Sequence, residues 1–273
     1  MDSKAKIGTT SYAFRYLLMD ERQAPPLTEI IRRVADMGLD TFQVCENARP
    51  LGLSVPEWRD AVKTARDCNV ELHAGCMTLS VDTLSRYMEL AAAIPDDQVR
   101  IVIEDEQSGP PSRGSIEAFL DAAAPRVEAA GMTLAIENHF HIPCRMLADV
   151  VAPFPPSLIG FCIDTANSLR NWESAEQVFA LLDSRAMQYH LKDYKVRGTN
   201  VGFCVGGAPL GEGDLDLAAC VRLIERRFEA PRVFLENWTP SVGNKEADTA
   251  ADAEWLSRSL AQARRSFDAG ARK

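Results

Sequence analysis

The sequence predicts a single (β/α)8 TIM barrel, an α/β domain running over residues 1–273. Three observations predict it. Short apolar runs alternate with amphipathic stretches along the whole chain. Most of the apolar runs are hydrophobic on both faces, as expected of strands buried on both sides of a parallel sheet. The junctions also recur: "ADMGLDTFQV" and "VEAAGMTLAI" both read helix, glycine, strand. Eight such units average roughly 34 residues each, close to the spacing of an eight-fold barrel of about 250 residues. A doubly wound sheet also alternates strands and helices, but no G-x-G-x-x-G follows the first apolar run, and eight strands is a high count for that fold.

The strands are expected at 6–12, 41–46, 70–75, 99–104, 132–138, 159–165, 187–194 and 233–238. Between the first two, Leu27, Ile30, Ile31, Val34 and Ala35 form a helical stripe, with Pro25 and Pro26 ahead of it and Gly38 behind. Val55, Trp58, Val62 and Ala65 form the next stripe. Ile116, Phe119, Leu120 and Ala123 form another, with Ser115 as candidate cap. Leu217, Val221 and Ile224 precede strand eight, and Trp255, Leu256 and Leu260 lie on the last helix. The segment 198–213 holds six glycines. It reads as a mobile lid, as a backbone cradle for an anion, or as a long structureless connection.

Charge and composition exclude several classes. Lys and Arg number 30 against 39 Asp and Glu, a net charge of −9. Nucleic-acid binding by phosphate neutralisation needs a basic face, so it is not expected. No stretch approaches the roughly 20 apolar residues that span a bilayer. The N-terminal residues run almost directly into an apolar strand without the h-region of a signal peptide. The seven cysteines are scattered, with no C-x-x-C pair. Cys45, Cys162 and Cys204 lie in apolar runs, where cysteine acts as a small hydrophobe. A reducing, cytoplasmic setting is expected.

Chemistry in such a barrel sits where strands end. The residues closing the eight runs are Tyr12, Glu46, His73, Glu104, Glu137, Asp164, His190 and Glu236. Crowding carboxylates at one mouth is costly unless a cation neutralises them. Glu137 ("LAIEN"), Asp164 ("FCIDT"), His190 ("QYHLKD") and Glu236 ("FLENW") end four successive strands and are expected to converge. Three carboxylates and an imidazole suit one divalent ion: Mn²⁺, Mg²⁺ or Co²⁺, with Zn²⁺ as an alternative. The opposing reading makes each an isolated polar strand end, capping a helix or pairing with a lysine.

The order Glu, Asp, His, Glu on strands five to eight resembles the xylose isomerase-like TIM barrels, which include the sugar epimerases and the sugar-phosphate isomerase/epimerase group. "HLKDY" after strand seven and "PLGEGDLD" before the following helix are typical of that group. The resemblance covers essentially the whole chain. It implies that Glu137, Asp164, His190 and Glu236 bind one divalent metal, and that Glu137 and Glu236 form the acid/base pair on opposite faces of a sugar carbon. It implies a small-molecule sugar, keto-sugar or keto-acid as substrate, and relatives that are often homo-oligomers. A metal bridging a carbonyl and an adjacent hydroxyl acidifies the neighbouring C–H, and a carboxylate takes that proton. Returning it gives epimerisation or isomerisation, the first expectation. Expelling a β-hydroxyl gives a carbon–oxygen lyase or dehydratase, the alternative.

Further substrate contacts are expected at His73, His139, Asn167, Lys192, Arg197, Glu104 and Trp238. His73 reads equally as a core histidine bonded to a backbone carbonyl. Lys192 shares a strand side with His190; Asp193 either orients it or is a surface charge. Trp238 and Trp172 are candidate pocket walls, with helix–barrel packing as the alternative, and Tyr12 and Phe14 are candidates for the opposite wall. Two positions depart from the ketose 3-epimerases. They carry a histidine where this chain has Asn167, which bonds a hydroxyl but does not titrate. Their arginine after the strand-seven histidine has only Arg197 as a counterpart here.

Overall fold

The computed structural model describes residues 5–105 and 109–270. Eight parallel strands close into a barrel: β1 (Lys6–Thr10), β2 (Thr41–Val44), β3 (Glu71–Met77), β4 (Gln98–Val102), β5 (Thr133–Glu137), β6 (Ile159–Asp164), β7 (Ala186–Leu191) and β10 (Arg232–Leu235). β1 pairs with both β2 and β10, which closes the ring. The strands β8 (Asp193–Thr199) and β9 (Gly202–Ala208) form a separate antiparallel pair.

The helices outside the barrel form where the stripes predict. α2 (Leu27–Asp36) buries Leu27, Ile30, Ile31 and Val34. α3 (Val55–Asp67) buries Trp58, Ala61 and Ala65, while Val55 at its start is exposed. α5 (Arg113–Ala129) is capped by Ser112, which accepts from the Ser115 N–H. The expected cap at Ser115 is therefore three residues late. α8 (Leu217–Arg227) follows an Asp216 cap, and α9 (Lys245–Gly270) buries Leu256 and Leu260. The recurring glycines Gly38 and Gly131 sit at φ 76° and 65°, the left-handed turn that ends a helix before the next strand. Gly8 has another role: a Cβ there would lie 2.2 Å from the Thr41 carbonyl oxygen, so β1 and β2 approach this closely only at glycine.

Three expectations fail at this level. The glycine-rich segment is not a structureless loop for most of its length. Residues 198–208 complete the β8–β9 hairpin, in which the chain reverses through Asn200 and Val201 and Thr199 pairs with Gly202. Asp193 is neither a surface charge nor a partner of Lys192. It is buried, and its carboxylate accepts from the N–H groups of Gly211, Gly213 and Leu215, tying the hairpin back to the barrel. His73 is the third residue of a strand that runs on to Met77, so it lies below the mouth. Its Nδ1 meets Asp96 at 2.6 Å, Asp96 also pairs with Arg232 at 3.2 Å, and the ring packs edge-on against Phe234. His73 is an interior histidine, bonded to a carboxylate rather than to a backbone carbonyl.

Candidate active site

Parallel strands deliver their C-terminal residues to one end of the barrel. Glu137 is the last residue of β5 and Asp164 the last of β6; His190 is next to last in β7, and Glu236 follows β10. The register sets Asp164 directly beside His190. All four side chains are buried.

The imidazole lies at the centre. Its Nε2 is 3.1 Å from Gln43 Oε1, and the Gln43 amide donates to Gln188 at 3.2 Å. A carbonyl oxygen there makes Nε2 the protonated nitrogen, so Nδ1 carries the lone pair. Nδ1 has no hydrogen-bond partner, yet it faces Glu137 Oε2 at 3.2 Å and Glu236 Oε1 at 3.4 Å. A lone pair facing two carboxylate oxygens calls for a cation among them. Asp164, His190 and Glu236 each offer a ligand atom, all within 4.8 Å of one another. Asp164 Oδ2 accepts no hydrogen bond either, and its near neighbour is the Lys192 ammonium, 3.0 Å away. The donor set therefore fits a hard or borderline divalent ion. Cys162 also lies within reach of Glu137 and His190. Burial pushes its thiol well up, which keeps it protonated and a poor ligand.

Two basic side chains share this cluster. Lys192 Nζ is 3.0 Å from Asp164 Oδ2, 2.9 Å from Glu236 Oε2 and 3.1 Å from Asn167 Oδ1. Arg100, on β4, donates from Nε to Glu137 Oε2 at 2.5 Å. Asn167 donates to the other Glu137 oxygen at 2.8 Å. Both carboxylate oxygens of Glu137 are thus engaged. Burial works against the Glu137 and Glu236 carboxylates, but Arg100 beside the first, and Lys192 and Arg100 around the second, hold both below the usual range. Burial raises Asp164 despite Lys192, and the surrounding carboxylates raise Lys192 despite its burial.

Above this cluster is a cavity of about 310 Å³ lined by residues including Arg100, Glu137, His139, Lys192, Glu236 and Trp238. Trp238 lies over Lys192 Nζ, with its ring centre 5.1 Å away, and lines the cavity. Glu104 does not line it. Its carboxylate holds His139 Nδ1 at 3.0 Å and His141 Nδ1 at 3.1 Å. Burial opposes its ionisation, but the two histidines hold it below the usual range. Arg197 is misplaced by the sequence reading: it is exposed on the hairpin opposite Cys204, itself exposed, and does not line this cavity. Trp172 is 78% exposed and packs against Phe203 of the hairpin, so it neither walls the cavity nor packs a helix on the barrel. Phe14 packs inward against Phe42, whereas Tyr12 does reach the cavity. Sequence reasoning missed Arg100, Gln43 and Gln188. The available signal was a polar residue inside "QVRIV", "TFQV" and "AMQYHL", strands otherwise apolar on both faces.

The fold and this cluster of strand-end ligands define a class, and comparison with known proteins agrees. Residues 31–259 match the family model described as xylose isomerase-like TIM barrel. The chain belongs to that family. It is 26% identical over 257 residues to a 3-oxo-isoapionate decarboxylase of Pectobacterium atrosepticum, covering 93% of each chain. Among solved structures it is similar to an L-ribulose 3-epimerase, with a TM-score of 0.73, 14% identity, and coverage of 98% of this chain and 96% of that one. It is also similar to a xylose isomerase-like protein from Mycobacterium smegmatis in complex with magnesium, with a TM-score of 0.70, 14% identity, and coverage of 94% and 100%. At these identities the solved structures speak for the fold alone. No helix among the described residues is long and apolar enough to cross a membrane.

Proposed function

We propose that this protein is a metal-dependent enzyme that forms an enediolate beside the ketone of a sugar-like acid, and that its favoured reaction is decarboxylation of a 3-oxo sugar acid. The supporting observation is the pair of buried cations, Lys192 and Arg100, set among Glu137, Asp164 and Glu236 at the floor of one cavity. The 26% identical relative, matched over 93% of both chains, is a decarboxylase of such an acid. Decarboxylation needs no base to remove a carbon-bound proton. This suits a Glu137 whose two oxygens are both already hydrogen-bonded.

Asp164, His190 and Glu236, with Glu137 beside them, would hold one divalent ion: Mn²⁺, Mg²⁺ or Co²⁺, with Zn²⁺ as an alternative. When bound, the ion supplies a Lewis acid for the ketone oxygen. The bond between the carboxylate and its α-carbon breaks, carbon dioxide leaves, and the electron pair moves onto the ketone oxygen as an enolate. Lys192 Nζ faces that developing charge with a positive charge already in place. Arg100 keeps Glu137 ionised through its Nε contact. A proton then returns to the α-carbon from Lys192 or from water above it. Trp238 and Phe140 wall the cavity against bulk water.

Epimerisation or isomerisation is the second reading. Glu137 and Glu236 both lie beside His190 Nδ1, at 3.2 and 3.4 Å, and in this reading they would serve as the acid/base pair. A carbon–oxygen lyase would use the same enolate to expel a β-hydroxyl. Seven free thiols fit a reducing compartment such as the cytoplasm. Incubating 3-oxo sugar acids and ketoses with the Mn²⁺-loaded protein in D₂O separates the outcomes. Carbon dioxide with one deuterium on the product supports decarboxylation. Deuterium without loss of mass supports epimerase or isomerase, and a new enone supports the lyase. Unchanged substrates across the panel would refute all three.

A further inference from the structure

A second cavity, about 610 Å³, adjoins the first and shares Tyr12, Glu46 and Met77 with it. Its volume lies within the range of small-molecule sites. The two differ sharply in charge. The reaction cavity is lined by Arg15, Arg100 and Lys192 together with Glu46, Glu137 and Glu236, so its cations and carboxylates balance. The second is lined by Glu46, Asp105 and the hydroxyl or amide side chains of Asn47, Thr78, Ser80 and Thr83, and no Lys or Arg lines it among the described residues. Glu46 stands at the junction. Its Oε1 accepts from the Tyr12 hydroxyl at 2.6 Å. Its Oε2 is buried without a hydrogen-bond partner, with Arg100 Nη1 4.0 Å away. A buried carboxylate oxygen left unpaired is costly unless a donor arrives with the ligand. The first turn of α4 (Val81–Ala92) opens on this cavity, but Ser80 already accepts from Thr83 N and Asp82 lies in that turn. The helix end is thereby capped and its positive end offset.

We infer that this second cavity is a subsite for the uncharged, polyhydroxylated tail of the substrate, with Glu46 Oε2 accepting from a tail hydroxyl, and that it discriminates against a tail carrying a phosphate. The inference rests on the proposed reaction only in placing the reacting end under Lys192. A phosphate here meets the Glu46 and Asp105 carboxylates, and among the described residues no Lys or Arg lines the cavity, the nearest cation to Glu46 being Arg100 at 4.0 Å on the side of the reaction cavity. Like-charge contact in a recessed site costs enough to set specificity.

The test is equilibrium binding of D-gluconate and 6-phospho-D-gluconate, which carry no ketone and do not react, to the Mn²⁺-loaded full-length protein by calorimetry. Wild-type protein binds gluconate about tenfold or more tightly than the phosphate ester, the scale of one buried like-charge contact. Thr83→Lys, which sets a cation in the second cavity, cuts that preference about fivefold or reverses it. Glu46→Gln narrows it in the same direction, with folding of each variant checked by its unfolding curve. Equal or tighter binding of the phosphate ester to wild type, no binding of gluconate, or a preference that Thr83→Lys leaves unchanged would each overturn the subsite. Carbon dioxide release from 3-oxo sugar acids is scored separately. Tail discrimination without carbon dioxide release keeps the subsite and removes the decarboxylase reading; release without discrimination does the reverse.

Discussion

Lys192 Nζ touches Asp164, Glu236 and Asn167 at once, and the charge balance of the mouth turns on it. Replacing it with methionine leaves two buried carboxylates facing each other without their cation. We expect Lys192→Met to lower turnover by about 10²–10³, the effect of losing one preorganised electrostatic contact, while the far-UV spectrum is preserved. Arg100→Met tests the other cation. Breaking a buried pair by removing one partner costs about 3–5 kcal/mol, so denaturant unfolding of the metal-free variant should show a loss of that order. An unchanged midpoint would mean that Glu137 finds another partner. Lys192 was legible in the sequence because it lies two residues after a strand-end histidine, on the same side. Arg100 was not, because its long aliphatic stem let "QVRIV" pass as an apolar run, and only the closed barrel shows its head group meeting Glu137.

At the level of elements, each barrel strand and the five helices marked by apolar stripes follow from periodicity; the β8–β9 hairpin does not, and the other departures lie at element ends. Strand seven stops at Leu191 because Asp193 turns the chain into the hairpin and then pins its return. Gly8→Ala puts a methyl group against the Thr41 carbonyl. Overpacking of this kind costs about 1–3 kcal/mol or more, so a lower thermal midpoint is expected, and no change would mean that β1 and β2 can separate. Asp252 on α9 is buried, and burial pushes its carboxyl up to about 6 from 3.8, against the pull of Thr239 and Arg15. Folding therefore binds this proton more tightly than the unfolded chain does. The stability it contributes is fully present below pH 3.8 and is lost as pH rises through 6. Asp252→Asn should flatten the stability profile across that window and raise stability at pH 7 relative to wild type. A profile parallel to wild type would assign the slope to other groups.

For the whole molecule, charge and metal act together. The chain carries −9 overall, and the mouth gathers Glu137, Asp164 and Glu236 beside the lone pair of His190. A divalent ion that binds only the folded form raises the thermal midpoint with its concentration. Mn²⁺ should stabilise the wild-type chain, and a chelator should reverse the gain. Neither should move Asp164→Asn combined with His190→Ala. Equal shifts in both proteins would place the ion elsewhere. Direct metal analysis should find about one ion per chain, the number a single mouth with one ligand set can hold.

Residue order by itself settles the barrel and the convergence of Glu137, Asp164, His190 and Glu236 at its mouth. Strand and helix periods are local, and a parallel barrel must bring all strand C-termini to one end. It also marks Lys192, Asn167 and Trp238 as neighbours of the site, since each follows a ligand strand closely. Contacts between distant segments depend on the closing of the ring and on strand length. Both are set by packing rather than by local pattern. That closure places His73 below the mouth against Asp96 and carries Arg197 away on a hairpin. It brings Arg100 from β4 onto Glu137, and it leaves Glu46 Oε2 without a hydrogen bond between a charge-balanced cavity and an acidic one.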